Sequence, residues 1–110
     1  MSFSIIPIRE LDAYTGRPET ILIDLRKPTD FVQGHIAGAK NIPYEQWQIE
    51  KEKWRHNYDT VVFYCQRGNQ SMYAAKEMNK RGYHAISIAG GYQGYLVYEK
   101  QKGKETLHET

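Results

Sequence analysis

Residues 61–76, VVFYCQRGNQSMYAAK, join a short apolar run to a helix-compatible segment through a loop that begins with the only cysteine of the chain, Cys65. The run at 60–65 is apolar and β-branched, as expected of a strand buried on both faces of a parallel sheet. From 69 to 82 the apolar residues fall on one helical stripe, and Gly82 marks a C-terminal stop. The stretch therefore predicts a buried strand, a tight loop and an amphipathic helix.

The same alternation of short apolar runs and longer polar stretches extends in both directions along the chain. The predicted strands cover 3–6, 20–25, 39–43 and 84–89, and the further predicted helices cover 28–32, 44–57 and 90–100. This alternation is typical of an α/β domain with a mainly parallel central sheet, here of about five strands, and helices on both faces. Ligands of such sheets bind beyond the carboxyl ends of the strands, which is where Cys65 lies.

Length, composition and charge predict one domain with one site. A chain of 110 residues that is 40% apolar and 25% charged can build a single core. We expect the domain to span 1–100 and a disordered tail to follow over 101–110. The formal charge of +2 is too small to indicate nucleic acid or an anionic membrane as a partner. No run approaches the roughly 18 apolar residues of a membrane span.

Cysteine usage and the N-terminal residues predict a cytoplasmic protein. A single cysteine cannot form an internal disulfide or a thiolate zinc site, and the four histidines lack metal-binding spacing. Residues 1–12 have no basic region ahead of an apolar run, so they are not typical of a signal peptide.

The loop after Cys65 has the composition of an anion-binding turn. Gly68 can adopt a positive φ and Asn69 tolerates one, so the loop can curl tightly. None of its residues is proline, and backbone N–H groups that converge at a helix N-terminus favour negative charge. The predicted anion-binding loop comprises Gln66, Arg67, Gly68, Asn69, Gln70 and Ser71.

Cys65 supplies an anion for this loop to hold. Helix N-termini and neighbouring arginines favour a thiolate, and Arg67 is placed to contribute. Ser71 has two candidate roles, capping the helix and donating a hydrogen bond to the sulfur. A cysteine at a strand end more often only packs in a core, but such a cysteine does not need a proline-free glycine loop that leads into a helix. We therefore expect Cys65 to be reactive.

Several motifs carry a resemblance to a known family. They are DLR at 24–26, GHIAGA at 34–39, CQRGNQS at 65–71 and GGY at 90–92. With these motifs, the chain resembles a rhodanese-like domain from about Ile21 to Tyr95. The resemblance implies a three-layer α/β domain and a sulfurtransferase. It also implies a persulfide mechanism, in which Cys65 attacks the outer sulfur of a donor such as thiosulfate, holds that sulfur as a persulfide and passes it to a thiol or to cyanide.

The resemblance also implies what surrounds the cysteine. Asp24, Arg26 and His35 are expected to tie the loops of the site together by hydrogen bonds, and the two glycines of GGY would allow a close approach to the cysteine loop or simply start a helix. No metal or organic cofactor is implied. The implied partners are a small-molecule or protein sulfur donor and a thiol acceptor, without nucleic acid or membrane, for a monomer or weak homodimer.

The loop departs from the family pattern at two positions. Many rhodanese-like loops have arginine where this chain has Gln66 and Gln70, which leaves Arg67 as the only cation of the loop. A charge-assisted hydrogen bond is roughly twice as strong as a neutral one, so we expect weak thiosulfate binding and an equal or better use of persulfide donors. Related phosphatases have a longer loop that ends in an arginine, so phosphatase activity is not expected.

Two other functions stay open at this point. The fold also occurs in non-catalytic binding or signalling modules, for which Cys65 should be alkylated slowly at mildly acidic pH. A cysteine redox sensor, oxidised by peroxide to a sulfenate, would suit the same loop. Competition between peroxide and sulfane-sulfur donors for Cys65 separates a sensor from a transferase.

Overall fold

The computed structural model describes residues 4–54 and 58–109, with side chains described as far as Gly103. The strands are β1 (Ser4–Ile6), β2 (Thr20–Asp24), β3 (Lys40–Asn41), β4 (Thr60–Tyr64) and β5 (His84–Ile88). The helices are α1 (Pro28–Gln33), α2 (Tyr44–Glu50), α3 (Asn69–Lys80) and α4 (Gly91–Glu109), with short 3-10 helices at Ile8–Ala13 and Lys51–Lys53.

The five strands form one sheet in the order β1-β5-β4-β2-β3, and each of these pairings is parallel. The apolar runs of β2 and β4 lie side by side at the centre, with Ile23 opposite Phe63 and Asp24 opposite Tyr64. Helical crossovers join parallel strands, which explains why the helical stretches alternate with the apolar runs in the sequence. The predicted α/β architecture with about five mainly parallel strands is confirmed.

Successive residues of β4 pack into two cores on opposite faces of the sheet, as the twofold alternation of a strand requires. Val61, Phe63 and Cys65 belong to the core that α2 and α3 cover. Val62 and Tyr64 belong to the core that contains residues of the first 3-10 helix and of α4. The sheet is therefore the middle of three layers, and the side chain of Cys65 lies on the α3 side.

The helix predicted over 44–57 ends at Glu50, and the part of that prediction over 55–57 lies outside the described residues. Trp47 and Trp54 are both buried, and their ring centroids lie 5.1 Å apart in an edge-to-face arrangement. A straight helix would separate two residues seven positions apart by about 10 Å along its axis. The chain therefore leaves the helix so that both rings enter the same core.

The last helix is longer than the sequence predicts. The prediction ended it at residue 100 and placed a disordered tail over 101–110, whereas α4 continues to Glu109. Thr110 lies outside the described residues, and the domain boundary at residue 100 stays a prediction. Over the part of the chain that the structure describes, none of the helices has the length and apolar character to cross a membrane.

The carboxyl ends of β2 and β4 meet at one edge of the sheet. The N–H of Leu25 donates to the carbonyl of Tyr64 at 2.9 Å, so the two central strands remain paired up to the residue before Cys65. This pairing places the Asp24–Arg26 segment beside the loop that starts at Cys65.

Candidate active site

Cys65 lies at the floor of a surface depression of about 340 Å³. The residue is only 2% exposed, because β4 ends inside the sheet and the loop that follows folds back over the sulfur. The other residues that line the depression are Gln66, Arg67, Asn69 and Gln70, whose side chains are exposed. The site therefore combines a buried sulfur with a polar rim that solvent reaches.

Two backbone N–H groups of the loop donate to Sγ of Cys65. The N–H of Gly68 lies 3.1 Å from the sulfur and that of Ser71 lies 3.4 Å from it. Gly68 is the N-cap of α3 with a φ of +107°, a conformation that favours glycine, and this turn directs both amides inward. The helix begins at Asn69, so the last three of the six predicted loop residues belong to its first turn, and two of the six supply the amides that hold the sulfur.

Ser71 contacts the sulfur but does not cap the helix. Its Oγ lies 3.6 Å from Sγ of Cys65, with the thiol as donor, and its own hydroxyl donates to the carbonyl of Gly68 at 3.1 Å. The N-cap position belongs to Gly68 and has no side-chain hydrogen bond. Of the two roles considered for Ser71, capping is not seen, and in the contact between its hydroxyl and the sulfur the thiol is the donor; the group of Ser71 that donates to the sulfur is its backbone N–H.

The first turn of α4 fixes the outer side of the cysteine loop. The N–H groups of Tyr92 and Gln93 donate to the carbonyls of Cys65 and Gln66 at 2.8 and 3.2 Å. Gly91 is buried with a φ of +60°, and a Cβ at this position would overlap the carbonyl oxygen of Cys65. The GGY motif therefore does bring the backbone of α4 close to the start of the cysteine loop, and the two amides that face the sulfur follow further along this loop.

Asp24 and Arg26 form a buried ion pair beside the site. The side chains are 0% and 4% exposed, with Nη2 of Arg26 2.8 Å from Oδ2 of Asp24. Burial alone would lower the pKa of Arg26, but its hydrogen bonds to Asp24 and the charge of that carboxylate raise the pKa above its ordinary value. Arg26 also donates to the carbonyl of Gly34 at 2.6 Å, and its guanidinium lies 3.9 Å from the ring centroid of Tyr92. The pair thus links the end of β2 to α1 and α4.

His35 lies at the surface, where its ring stacks on Phe31 with centroids 3.8 Å apart. Its Nδ1 is 2.8 Å from the carbonyl oxygen of Phe31, which can only accept a hydrogen bond. Of the three residues expected to tie the loops together, the structure therefore brings Asp24 and Arg26 into one network, while the contacts of His35 are with the end of α1.

Two residues near the site were not singled out from the sequence. Ser87 of β5 is 1% exposed, and its Oγ lies 2.7 Å from Oγ of Ser71. The signal was a lone serine inside the apolar run HAISIA, since a buried hydroxyl needs a partner. Tyr64 is the second, because its Oη accepts a hydrogen bond from the N–H of Ile36 at 3.1 Å. Burial is the largest cause, and a hydrogen bond to Asp24 the second, of a pKa of Tyr64 that lies well above its ordinary value.

A second groove of about 380 Å³ adjoins the depression over Cys65 and shares Gln66 and Gln70 with it. Its other lining residues are Leu25, Arg26, Lys27, Pro28, Asp30, Pro43, Tyr44 and Glu45. Over 4–54 and 58–103, where the structure describes side chains, no three acidic, histidine or cysteine side chains cluster as ligands for a metal ion. The contacts at the site itself are those of one thiol held by two backbone amides.

Comparison with known proteins gives a consistent result. The family model of the rhodanese-like domain matches residues 8–97. Thiosulfate sulfurtransferase PspE of Escherichia coli is 35% identical over 85 residues, which cover 74% of this chain and 78% of that protein. Thiosulfate sulfurtransferase GlpE of Tolumonas auensis is 31% identical over 99 residues, covering 84% and 88%.

Solved structures share the fold. The crystal structure of a rhodanese-related protein from Thermoplasma volcanium has a TM-score of 0.74 at 21% identity and covers 86% of this chain and 92% of that one. Across the two sulfurtransferases and two further curated relatives, the chain spans 63% to 88% of the relative's length. The family match over most of the chain, the parallel five-stranded sheet and the cysteine loop agree, and the chain belongs to the rhodanese-like domain family.

Proposed function

We propose that this protein is a sulfurtransferase that carries sulfane sulfur as a persulfide on Cys65. The observation that carries the proposal is the pair of N–H groups, from Gly68 and Ser71, that donate to a sulfur at the floor of an open depression. Two fixed N–H donors stabilise the charged thiolate more than they stabilise the neutral thiol, so they favour the reactive form of Cys65. Relatives named as thiosulfate sulfurtransferases support the same reaction class.

The reaction divides into two displacements at sulfur. In the first, the Cys65 thiolate attacks the outer sulfur of the donor, a new S–S bond forms, and the donor's old bond to that sulfur breaks. With thiosulfate the leaving group is sulfite, and with a thiol persulfide it is the donor's thiolate. In the second, an acceptor thiolate attacks the outer sulfur of Cys65–SSH and the Cys65 thiolate leaves. No net electron is gained or lost, so one thiol completes the cycle.

The loop serves both displacements. The amides of Gly68 and Ser71 would stabilise Cys65 as the attacking thiolate and again as the leaving group, because the same charge forms on the same atom. The outer sulfur would occupy the depression lined by the side chains of Gln66, Arg67 and Gln70. These polar groups can hold a charged sulfur, but only Arg67 brings a full positive charge.

We propose a thiol persulfide, small or borne by a protein, as the preferred donor, and a thiol as the acceptor. Gln66 and Gln70 can offer only neutral hydrogen bonds to a sulfite leaving group. Arginines at these two positions, added to Arg67, would bind sulfite more tightly. Both residues also line the adjoining groove of about 380 Å³, which provides room for a leaving group much larger than sulfite. The apolar rings of Pro28, Pro43 and Tyr44 in that groove suit an organic thiol.

Intact-mass spectrometry tests the proposal directly. Incubation with thiosulfate, polysulfide or glutathione persulfide should add one sulfur atom to the protein, and Cys65→Ser should abolish the addition. Because the chain has one cysteine, the adduct has one possible position. An excess of a small thiol should then remove the added sulfur and yield the acceptor persulfide. If none of the three donors yields the adduct on folded protein, the proposal is wrong.

The same protein separates the alternatives of a binding module and a redox sensor. A module should alkylate slowly with iodoacetamide at mildly acidic pH, because an ordinary thiol is then almost fully protonated. A sensor should form sulfenate with peroxide faster than it takes sulfur from a persulfide donor. A transferase should show fast alkylation and prefer the sulfur donor.

A further inference from the structure

Two buried hydroxyl groups lie in line behind the sulfur of Cys65. Ser71 of α3 and Ser87 of β5 are 0% and 1% exposed, and their Oγ atoms are 2.7 Å apart. The register of the sheet explains the alignment, because Ser87 lies opposite Phe63 of β4, and Cys65 follows Phe63 by two residues on the same face. The line therefore runs from Ser87 through Ser71 to the sulfur.

The hydrogen-bond capacity of Ser71 depends on the charge of the sulfur. A hydroxyl has one proton to donate and two lone pairs to accept with. When Cys65 is a thiol, its S–H donates to Oγ of Ser71, and the Ser71 hydroxyl donates to the carbonyl of Gly68 at 3.1 Å. The remaining lone pair of Ser71 accepts from the hydroxyl of Ser87, and the set is complete.

Loss of the thiol proton breaks this arrangement. A thiolate can only accept, so the contact between Ser71 and the sulfur stays favourable only if the Ser71 hydroxyl turns its proton from the Gly68 carbonyl toward Sγ. Ser87 can continue to donate to Ser71 in either orientation. A donated hydrogen bond polarises the hydroxyl that receives it and strengthens the bond that this hydroxyl donates in turn.

We propose that Ser87 is a positioning residue for the sulfur chemistry of Cys65. It acts through Ser71, and we call the hydrogen-bonded pair of hydroxyl groups, Ser87 to Ser71, the hydroxyl relay. Ser87 does not touch the sulfur or a substrate. It holds the oxygen of Ser71 in place while the Ser71 proton turns between the Gly68 carbonyl and the thiolate. The inference rests on the proposed function, since the relay favours the thiolate that both displacements need.

The charged surroundings of Cys65 can be kept constant in a test of this relay. Among the described residues that line the depression, Arg67 is the one with a charged side chain, and the side-chain hydrogen bonds of the two serines are with Cys65, Gly68 and each other. Variants at the two serines therefore change hydroxyl groups and leave the fixed charge in place.

The test is a double-mutant cycle read by the rate of iodoacetamide alkylation at mildly acidic pH and by the pH dependence of thiolate absorbance. Ser71→Ala should lower the alkylation rate about tenfold, because it removes a hydrogen bond to a charged group. Ser87→Ala should lower it about two- to fivefold in the wild-type background and have no further effect in the Ser71→Ala background. Ile86→Val, which trims the neighbouring buried residue on the opposite face of β5, should leave the rate unchanged.

An isosteric pair keeps the test decisive if an alanine variant does not fold. Threonine and valine have nearly the same shape, and only threonine keeps a hydroxyl. Cys65 should therefore be alkylated about two- to fivefold faster in Ser87→Thr than in Ser87→Val. Equal rates for Thr and Val, or an equal effect of Ser87→Ala in both backgrounds, would overturn the proposal. Neither readout uses sulfur transfer, so failure of the relay and failure of the transferase proposal are distinguishable: the latter appears only as a missing sulfur adduct.

Discussion

Replacing Gly91 with alanine should detach the first turn of α4 from the cysteine loop. Gly91 has a φ of +60°, and an added Cβ would overlap the carbonyl oxygen of Cys65 and lie 2.7 Å from that of Gln66. Both contacts are with backbone atoms, which cannot rotate away as a side chain can. Either α4 or the loop must therefore move.

The structure allows a rough magnitude for this change. The left-handed conformation costs a residue with a Cβ about 1–2 kcal/mol. The shift also weakens the hydrogen bonds that Tyr92 and Gln93 donate to the loop carbonyls at 2.8 and 3.2 Å, each with a net value of about 0.5–1.5 kcal/mol. We expect Gly91→Ala to lower the free energy of unfolding by about 2–5 kcal/mol, a large part of the stability of a domain this size.

Two glycines of the same chain serve as matched controls. Gly82 has a φ of +95° and no atom within 4 Å of an added Cβ, so Gly82→Ala should show the conformational cost alone, about 1–2 kcal/mol. Gly103 lies within α4 with open space around it, and alanine there should stabilise the helix by about 0.5–1 kcal/mol. The three variants differ in surroundings but share one substitution.

Urea unfolding of the three variants gives their free energies, and alkylation of Cys65 without denaturant reports the loop. Gly91→Ala should lose both stability and reactivity, because α4 holds the carbonyls of Cys65 and Gln66 at the start of the loop that carries the Gly68 and Ser71 amides to the sulfur. Gly82→Ala should keep its reactivity. If Gly91→Ala is no less stable than Gly82→Ala, or alkylates at the wild-type rate, α4 does not hold the loop and the reasoning is refuted.

Three further changes test other parts of the site. Replacing both Gln66 and Gln70 with arginine should lower the KM for thiosulfate about tenfold in steady-state assays and change the use of a thiol persulfide much less; an equal effect on both donors would contradict the donor proposal. Asp24→Asn leaves a buried guanidinium without its carboxylate and should cost about 3 kcal/mol or more in urea unfolding. Burial raises the pKa of Tyr64 above its ordinary value of 10.0, so the stability that this residue contributes is fully present below pH 10 and is lost as the pH rises further. In Tyr64→Phe, the free energy of unfolding should therefore decline less steeply at alkaline pH. An unchanged decline would exclude Tyr64 as its cause.

The sheet could be predicted because its strands have a strong local signal. Strands such as β2 and β4 are buried on both faces and therefore consist of continuous apolar runs, which differ sharply from the polar stretches beside them. The position of Cys65 followed from the same pattern, since a residue at the carboxyl end of a central strand must lie at the edge where ligands bind. Gly68 was predictable for a related reason, because the short loop requires one residue with a positive φ.

What the sequence did not reveal depends on contacts between distant segments. Trp47 and Trp54 have a helical spacing, but the core draws both rings together and ends α2 between them. The sequence left open whether the glycines of GGY approach the loop or only start a helix, and the alignment of Ser87 with Ser71 depends on the order and register of β4 and β5. A local pattern contains neither quantity, so these features appear only in the assembled fold.

The site is therefore built in two parts with different origins. The part that holds the sulfur is backbone: the amides of Gly68 and Ser71, fixed by the start of α3 and by α4. The part that would face a sulfur donor in the proposed function is side chain, since Gln66 and Gln70 are exposed and line two adjoining grooves. Because backbone donors do not depend on the side chains of these two residues, the proposed function predicts that substitutions at positions 66 and 70 change donor choice and leave the two amides at the sulfur in place. In the proposed function, Gln66 and Gln70 therefore bear on which donor is used, whereas Gly68 and Gly91 bear on whether the amides reach the sulfur.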